Sequence, residues 1–93
     1  MAEYLVELYV SRDDRAAVES SAKRARSAAE DLTDENVPVR YVRAIFVPED
    51  ETCFFLYEAG SAEAVREAAR RAGLGGERIA EAHGASRGER ACL

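Results

Sequence analysis

Glu7 is the residue whose setting most suggests chemistry. It lies in the stretch Glu3-Tyr4-Leu5-Val6-Glu7-Leu8-Tyr9-Val10, a carboxylate in the middle of an otherwise apolar run. Such a group either sits solvated at a rim or faces a cavity, where a counter-charge must offset its desolvation. Arg40 and Arg43 are the cations that could supply that charge. They are three residues apart in one extended stretch, so strict alternation sends them to opposite faces and lets only one share a side with Glu7. Tyr9 and Tyr57 carry phenols that could help a carboxylate orient or deprotonate a small aromatic substrate. Cys53, in Thr52-Cys53-Phe54-Phe55, reads as a small buried hydrophobe unless a base lies beside it. Glu81 and His83 alternate on one stretch and form a two-donor unit for a metal ion. His83 is also the single histidine of the chain.

Other charged groups have plainer roles. Glu49-Asp50-Glu51 lacks the glycine and ligand spacing of a calcium loop and reads as a solvated turn. Arg66, Arg70, Arg71 and Arg78 form a basic cluster around a helix on which Glu63 and Glu67 are spaced to pair with them. The chain has no glycine-rich phosphate loop, no Cys-x-x-Cys and no Ser/His/Asp set.

The elements that position these residues follow from periodicity. Residues 3–10 read as a strand with Tyr4, Val6, Leu8 and Val10 on one face and Leu5, Glu7 and Tyr9 on the other. Ser11, with Asp14 three residues on, resembles a capping box opening a helix that runs to residue 36. Its apolar line is Val18, Ala22, Ala25, Ala29 and Leu32, and Asn36 followed by Pro38 ends it. Residues 39–47 and 52–58 read as two strands of a hairpin, and 62–72 as a second helix with Ala62, Val65, Ala69 and Ala72 on its stripe. Gly73 ends that helix, Gly75-Gly76 turns, and residues 77–83 form a short fourth strand. The order is β-α-β-β-α-β, a ferredoxin-like α+β sandwich with a four-stranded antiparallel sheet covered on one face by two helices. One domain spans 1–83, and 84–93 form a tail or an added edge strand.

Composition narrows the partners. The chain has 93 residues, 47% hydrophobic and 33% charged, enough for one core. Eighteen residues are alanine, so that core is modest. Bulky side chains on both sheet faces imply that the bare face is covered by a second copy, giving a homodimer of the α/β-barrel kind. A net charge of −5 argues against nucleic acid, and no apolar run reaches membrane-spanning length. The acidic start is not that of a secretory leader, and two cysteines do not make a disulfide scaffold, so a reduced cytoplasmic protein is expected.

Several segments resemble a known family. They are Tyr4-Leu5-Val6-Glu7, Val39-Arg40-Tyr41-Val42, the run from Cys53 to Ala59, and above all the run from Glu63 to Gly73 with Arg78-Ile79-Ala80-Glu81 after it. They are similar to small bacterial ferredoxin-like proteins typified by an actinobacterial nickel-responsive, nickel-binding member. The resemblance implies a ferredoxin-like subunit, a dimer, and nickel sequestration as the role. Arg43 and Ala68 stand where the family pattern carries histidine, and guanidinium has no lone pair to give a metal. Glu81 and His83, with Glu7, are the donors that remain. Two functions are therefore expected: a dimeric binding protein for metal or small molecule, or a dimeric α/β-barrel enzyme built around Glu7.

Overall fold

The computed structural model describes residues 1–75 and 78–84. Its elements are β1 (Ala2–Tyr9), α1 (Arg15–Asp34), β2 (Val39–Val47), a 3-10 turn (Pro48–Asp50), β3 (Thr52–Ala59), α2 (Ala62–Arg71) and β4 (Ile79–Ala82). The sheet order is β2-β3-β1-β4 with every neighbouring pair antiparallel, the ferredoxin-like arrangement. The expected tail at 85–93, and Gly76 and Glu77 of the expected turn and fourth strand, lie outside the described residues.

Each helix begins and ends on local chemistry. Asp14, not Ser11, caps α1: its side chain accepts the Ala17 N–H at 3.2 Å, while the Asp14 N–H donates to the Ser11 carbonyl in a preceding turn. The spacing of Ser11 and Asp14 was the signal, but the carboxylate is the better acceptor one turn closer to the apolar line. Asn36 adopts φ +70°, and the Val37 and Asn36 N–H groups donate back to Leu32 and Thr33 carbonyls. That is a Schellman ending. α2 closes the same way, with Gly73 at φ +75° and Leu74 donating to the Ala69 carbonyl. Ser61 caps its start by accepting from the Ala64 N–H.

Both helices cover the sheet with small residues. Ala25, Ala28 and Ala29 of α1, and Ala64, Ala68 and Ala69 of α2, are buried against it. Leu32 and Val65 are the large residues fully buried in those seams, with Val18 packed partly buried beside them. The sheet supplies the volume instead, through Tyr4, Val6, Phe55 and Tyr57. Backbones can approach closely across an alanine seam, so the layer packs without large interdigitating side chains.

One irregularity decides which residues share a face. Between Tyr41 and Arg43 the β2–β3 register shifts by one, a β-bulge at Val42. Before it Arg40 pairs with Glu58, and after it Arg43 pairs with Leu56. Glu58 and Leu56 are two apart and point the same way, so Arg40 and Arg43 lie on one face. The expectation of opposite faces fails because the bulge inserts the extra residue that restores parity.

Candidate functional site

The face away from the helices gathers most of the candidate residues. The ladder places Leu5 opposite Leu56, Glu7 opposite Phe54, and Tyr9 opposite Thr52. From β2 come Arg40, Arg43 and Ile45, and from β4 Ala80 and Ala82. Leu5, Phe54, Leu56 and Ile45 make an apolar centre, with Ile45 41% and Tyr9 70% exposed. Charges surround that centre.

Those charges are mostly paired. Arg78 Nη2 donates to Glu7 Oε2 at 3.2 Å, and the Glu7 N–H donates to the Arg78 carbonyl at 3.0 Å. Neither Arg40 nor Arg43 is the counter-charge of Glu7. Arg40 instead donates through Nε and Nη2 to Glu58 Oε1, at 3.0 and 2.8 Å. Arg78 thus leaves the basic cluster expected around α2, where Arg66, Arg70 and Arg71 do pair with Glu63 and Glu67. Glu35 also joins that network, accepting from Arg71 at 2.8 and 3.0 Å.

Cys53 and Tyr57 fall on the other side of the sheet. Both are fully buried under the helices, aligned with Leu8 and Tyr4 of β1. Burial pushes the Cys53 thiol above its ordinary range, the reverse of what a nucleophile needs. Burial likewise pushes the Tyr57 hydroxyl well above the ordinary phenol range, with Tyr41 adding to the effect. The Tyr57 hydroxyl has no hydrogen-bond partner among the described residues. The candidate set therefore splits, and a cavity around Glu7 includes neither residue. Both strings of β3, Cys53-Phe55-Tyr57 and Phe54-Leu56, are apolar, so alternation could not say which one faced the helices.

The metal donors sit at one end of the sheet. His83 Nε2 lies 3.4 Å from Glu81 Oε2, with both side chains largely in solvent. Glu3 and Glu58 join them around a shallow hollow of about 330 Å³. Among the described residues no three His, Cys, Asp or Glu side chains come together to hold a metal ion. The described residues of one subunit thus bring together an imidazole and a carboxylate, short of the four-donor square-planar or tetragonal set that Ni²⁺ favours.

A groove that sequence reasoning missed runs between α1 and β2, about 500 Å³ and lined by Arg26, Thr33, Asp34 and Tyr41 among others. The Arg26 guanidinium lies 5.9 Å from the centre of the Tyr41 ring, a cation–π contact. Nothing in the spacing of residues 26 and 41 pairs them, because a helix end and a turn intervene.

No described helix is long and apolar enough to cross a membrane. Comparison with curated proteins finds no match. Among solved structures the fold is similar to the crystal structure of SCO4226 from Streptomyces coelicolor A3(2), with a TM-score of 0.74 and 21% identity. The match covers 91% of this chain and 100% of that one, and at this identity it speaks for the fold. The family model described as "Nickel responsive protein SCO4226-like" matches residues 4–82, from the strand that carries Glu7 to the end of β4. By that match, which takes in both helices and all four strands but for Ala2 and Glu3, the chain belongs to the SCO4226-like family of nickel responsive proteins.

Proposed function

We propose that the chain works without turnover, as a cytoplasmic homodimeric binding protein of the nickel response whose two copies meet through their open sheet faces. One observation carries this reading: Leu5, Phe54, Leu56 and Ile45 form a contiguous apolar centre that nothing among the described residues covers, ringed by charge. A patch of that kind marks an interaction surface. The catalytic alternative loses support because its phenol and thiol candidates lie across the sheet from Glu7, and because Glu7 is already engaged by Arg78.

The nickel role rests on family membership and on the hollow of Glu3, Glu58, Glu81 and His83. Carboxylate and imidazole suit a divalent first-row metal, and so few donors on an exposed rim hold it weakly. Native mass spectrometry of the untagged chain tests both parts, before and after adding nickel, alongside a His83→Ala variant. The expected result is a dimer that takes up nickel, with uptake reduced in the variant. A monomer overturns the assembly, and a dimer whose uptake is absent or unaltered by the substitution overturns the metal site.

A further inference from the structure

Two charges on the open face have no partner of opposite sign among the described residues. Arg40–Glu58 and Glu7–Arg78 are internal pairs, but Glu3 and Arg43 belong to no ion pair. Glu3 even lies directly opposite Glu58, a like charge across the β1–β3 ladder. Covering this face with a second copy takes both charges out of water, which is unfavourable unless they are matched. A two-fold interface repeats every contact, so one register that sets Glu3 against the partner's Arg43 neutralises four charges at once.

We propose that two copies pair in that register, with Glu3 of each against Arg43 of the other. The proposal rests on the homodimer reading above and specifies its geometry. Arg43 and Leu5 share a row through Leu56, so Glu3 is two strands and one two-residue step from Arg43. That is about 10 Å across the sheet and about 7 Å along it. A two-fold axis lying between the sheets and bisecting this separation runs diagonally, from between Arg40 and Glu58 past Leu5 toward Arg78.

Rotation about that axis sets Phe54 over Ala80 of the other copy and Ile45 over its Ala82, each large side chain meeting a small one. Leu5 falls on Leu56. Each internal ion pair straddles the axis and falls on its own copy in the other subunit, so each cation reaches a carboxylate of either copy. The partner's strands then cross steeply, nearer the orthogonal than the aligned class of sheet packing. One axis satisfies the charges and the side-chain sizes together.

The test is charge reversal read by sedimentation equilibrium, with circular dichroism to verify the fold. Both side chains lie on the face outside the core, so the monomer should fold in every variant. Glu3→Arg and Arg43→Glu should each raise the dimer dissociation constant by at least about tenfold, through like charges brought face to face. The double variant should return to within about threefold of the parent, because the swapped charges attract again. Single variants that dimerise like the parent overturn the register while leaving the homodimer reading intact. Weakened singles without rescue in the double overturn it as well. A parent chain that stays monomeric overturns the homodimer reading, and the register with it.

Discussion

Glu7 and Arg78 are 71 residues apart and bound twice, by a side-chain hydrogen bond at 3.2 Å and by the Glu7 N–H donating to the Arg78 carbonyl at 3.0 Å. The pair fixes where the chain re-enters the sheet after α2, just before β4 begins at Ile79. It also occupies the carboxylate that the sequence marks most clearly for chemistry.

The ion pair itself is worth little, because both ends reach solvent. In the dissociated subunit Glu7→Gln should lower unfolding stability by less than about 1 kcal/mol in urea titration, since exposed pairs rarely exceed that. A loss of several kcal/mol in the assembled protein would mean that Glu7 is far more buried there than in the subunit.

Tyr57 presents a cleaner case. Its ring fills the core, but its hydroxyl is buried without a partner among the described residues. Tyr57→Phe keeps the ring and removes the unsatisfied oxygen, so it should stabilise the fold by about 1 kcal/mol. The same burial holds the folded-state pKa above the unfolded value near 10, so ionisation is tied to unfolding. The contribution is whole below pH 10 and is lost as pH rises beyond it. Urea midpoints measured toward alkaline pH should fall more steeply for the parent than for Tyr57→Phe.

Acid works through α2. Arg70 and Arg71 hold Glu67 down from its ordinary 4.5 to about 2. A carboxylate depressed on folding stabilises above its unfolded pKa, and that stability drains as pH falls from about 4.5 toward 2. Glu67→Gln should therefore be less stable than the parent at pH 7 and converge with it near pH 2. Equal acid limbs for the two proteins would show that solvent screens the cluster completely.

Cys53 should be kinetically silent. It is fully buried with its thiol pushed up by that burial. In a Cys92→Ser background, a disulfide reagent at pH 8 should modify Cys53 only at the rate of global opening, slowing in step with added stability. Immediate modification would show that the helix layer lifts readily from the sheet.

Much of this arrangement was legible in the chain. The order of elements followed from period-2 and period-3.6 runs, and Asn36 and Gly73 marked both helix ends because each must take a left-handed conformation there. Leu5, Glu7 and Tyr9 were assigned to one face of β1, as the ladder has it. The site was less legible. An extra residue at Val42 leaves no trace in composition, yet it moves Arg43 across the sheet. Arg78 looked like a helix-face cation because nothing local ties it to residue 7. Tyr57 was ambiguous because β3 is apolar on both sides.

The alanine seam under both helices sets an unusual rule for variation in this fold. Where a core of leucines would forgive a change of shape at constant volume, positions such as Ala25, Ala68 and Ala69 are fully or almost fully buried against the large side chains of the sheet and leave little room to grow. Size rather than polarity becomes the character held in check there. A serine would intrude less than a valine, and tolerance along α1 and α2 would run opposite to the usual hydrophobic ordering.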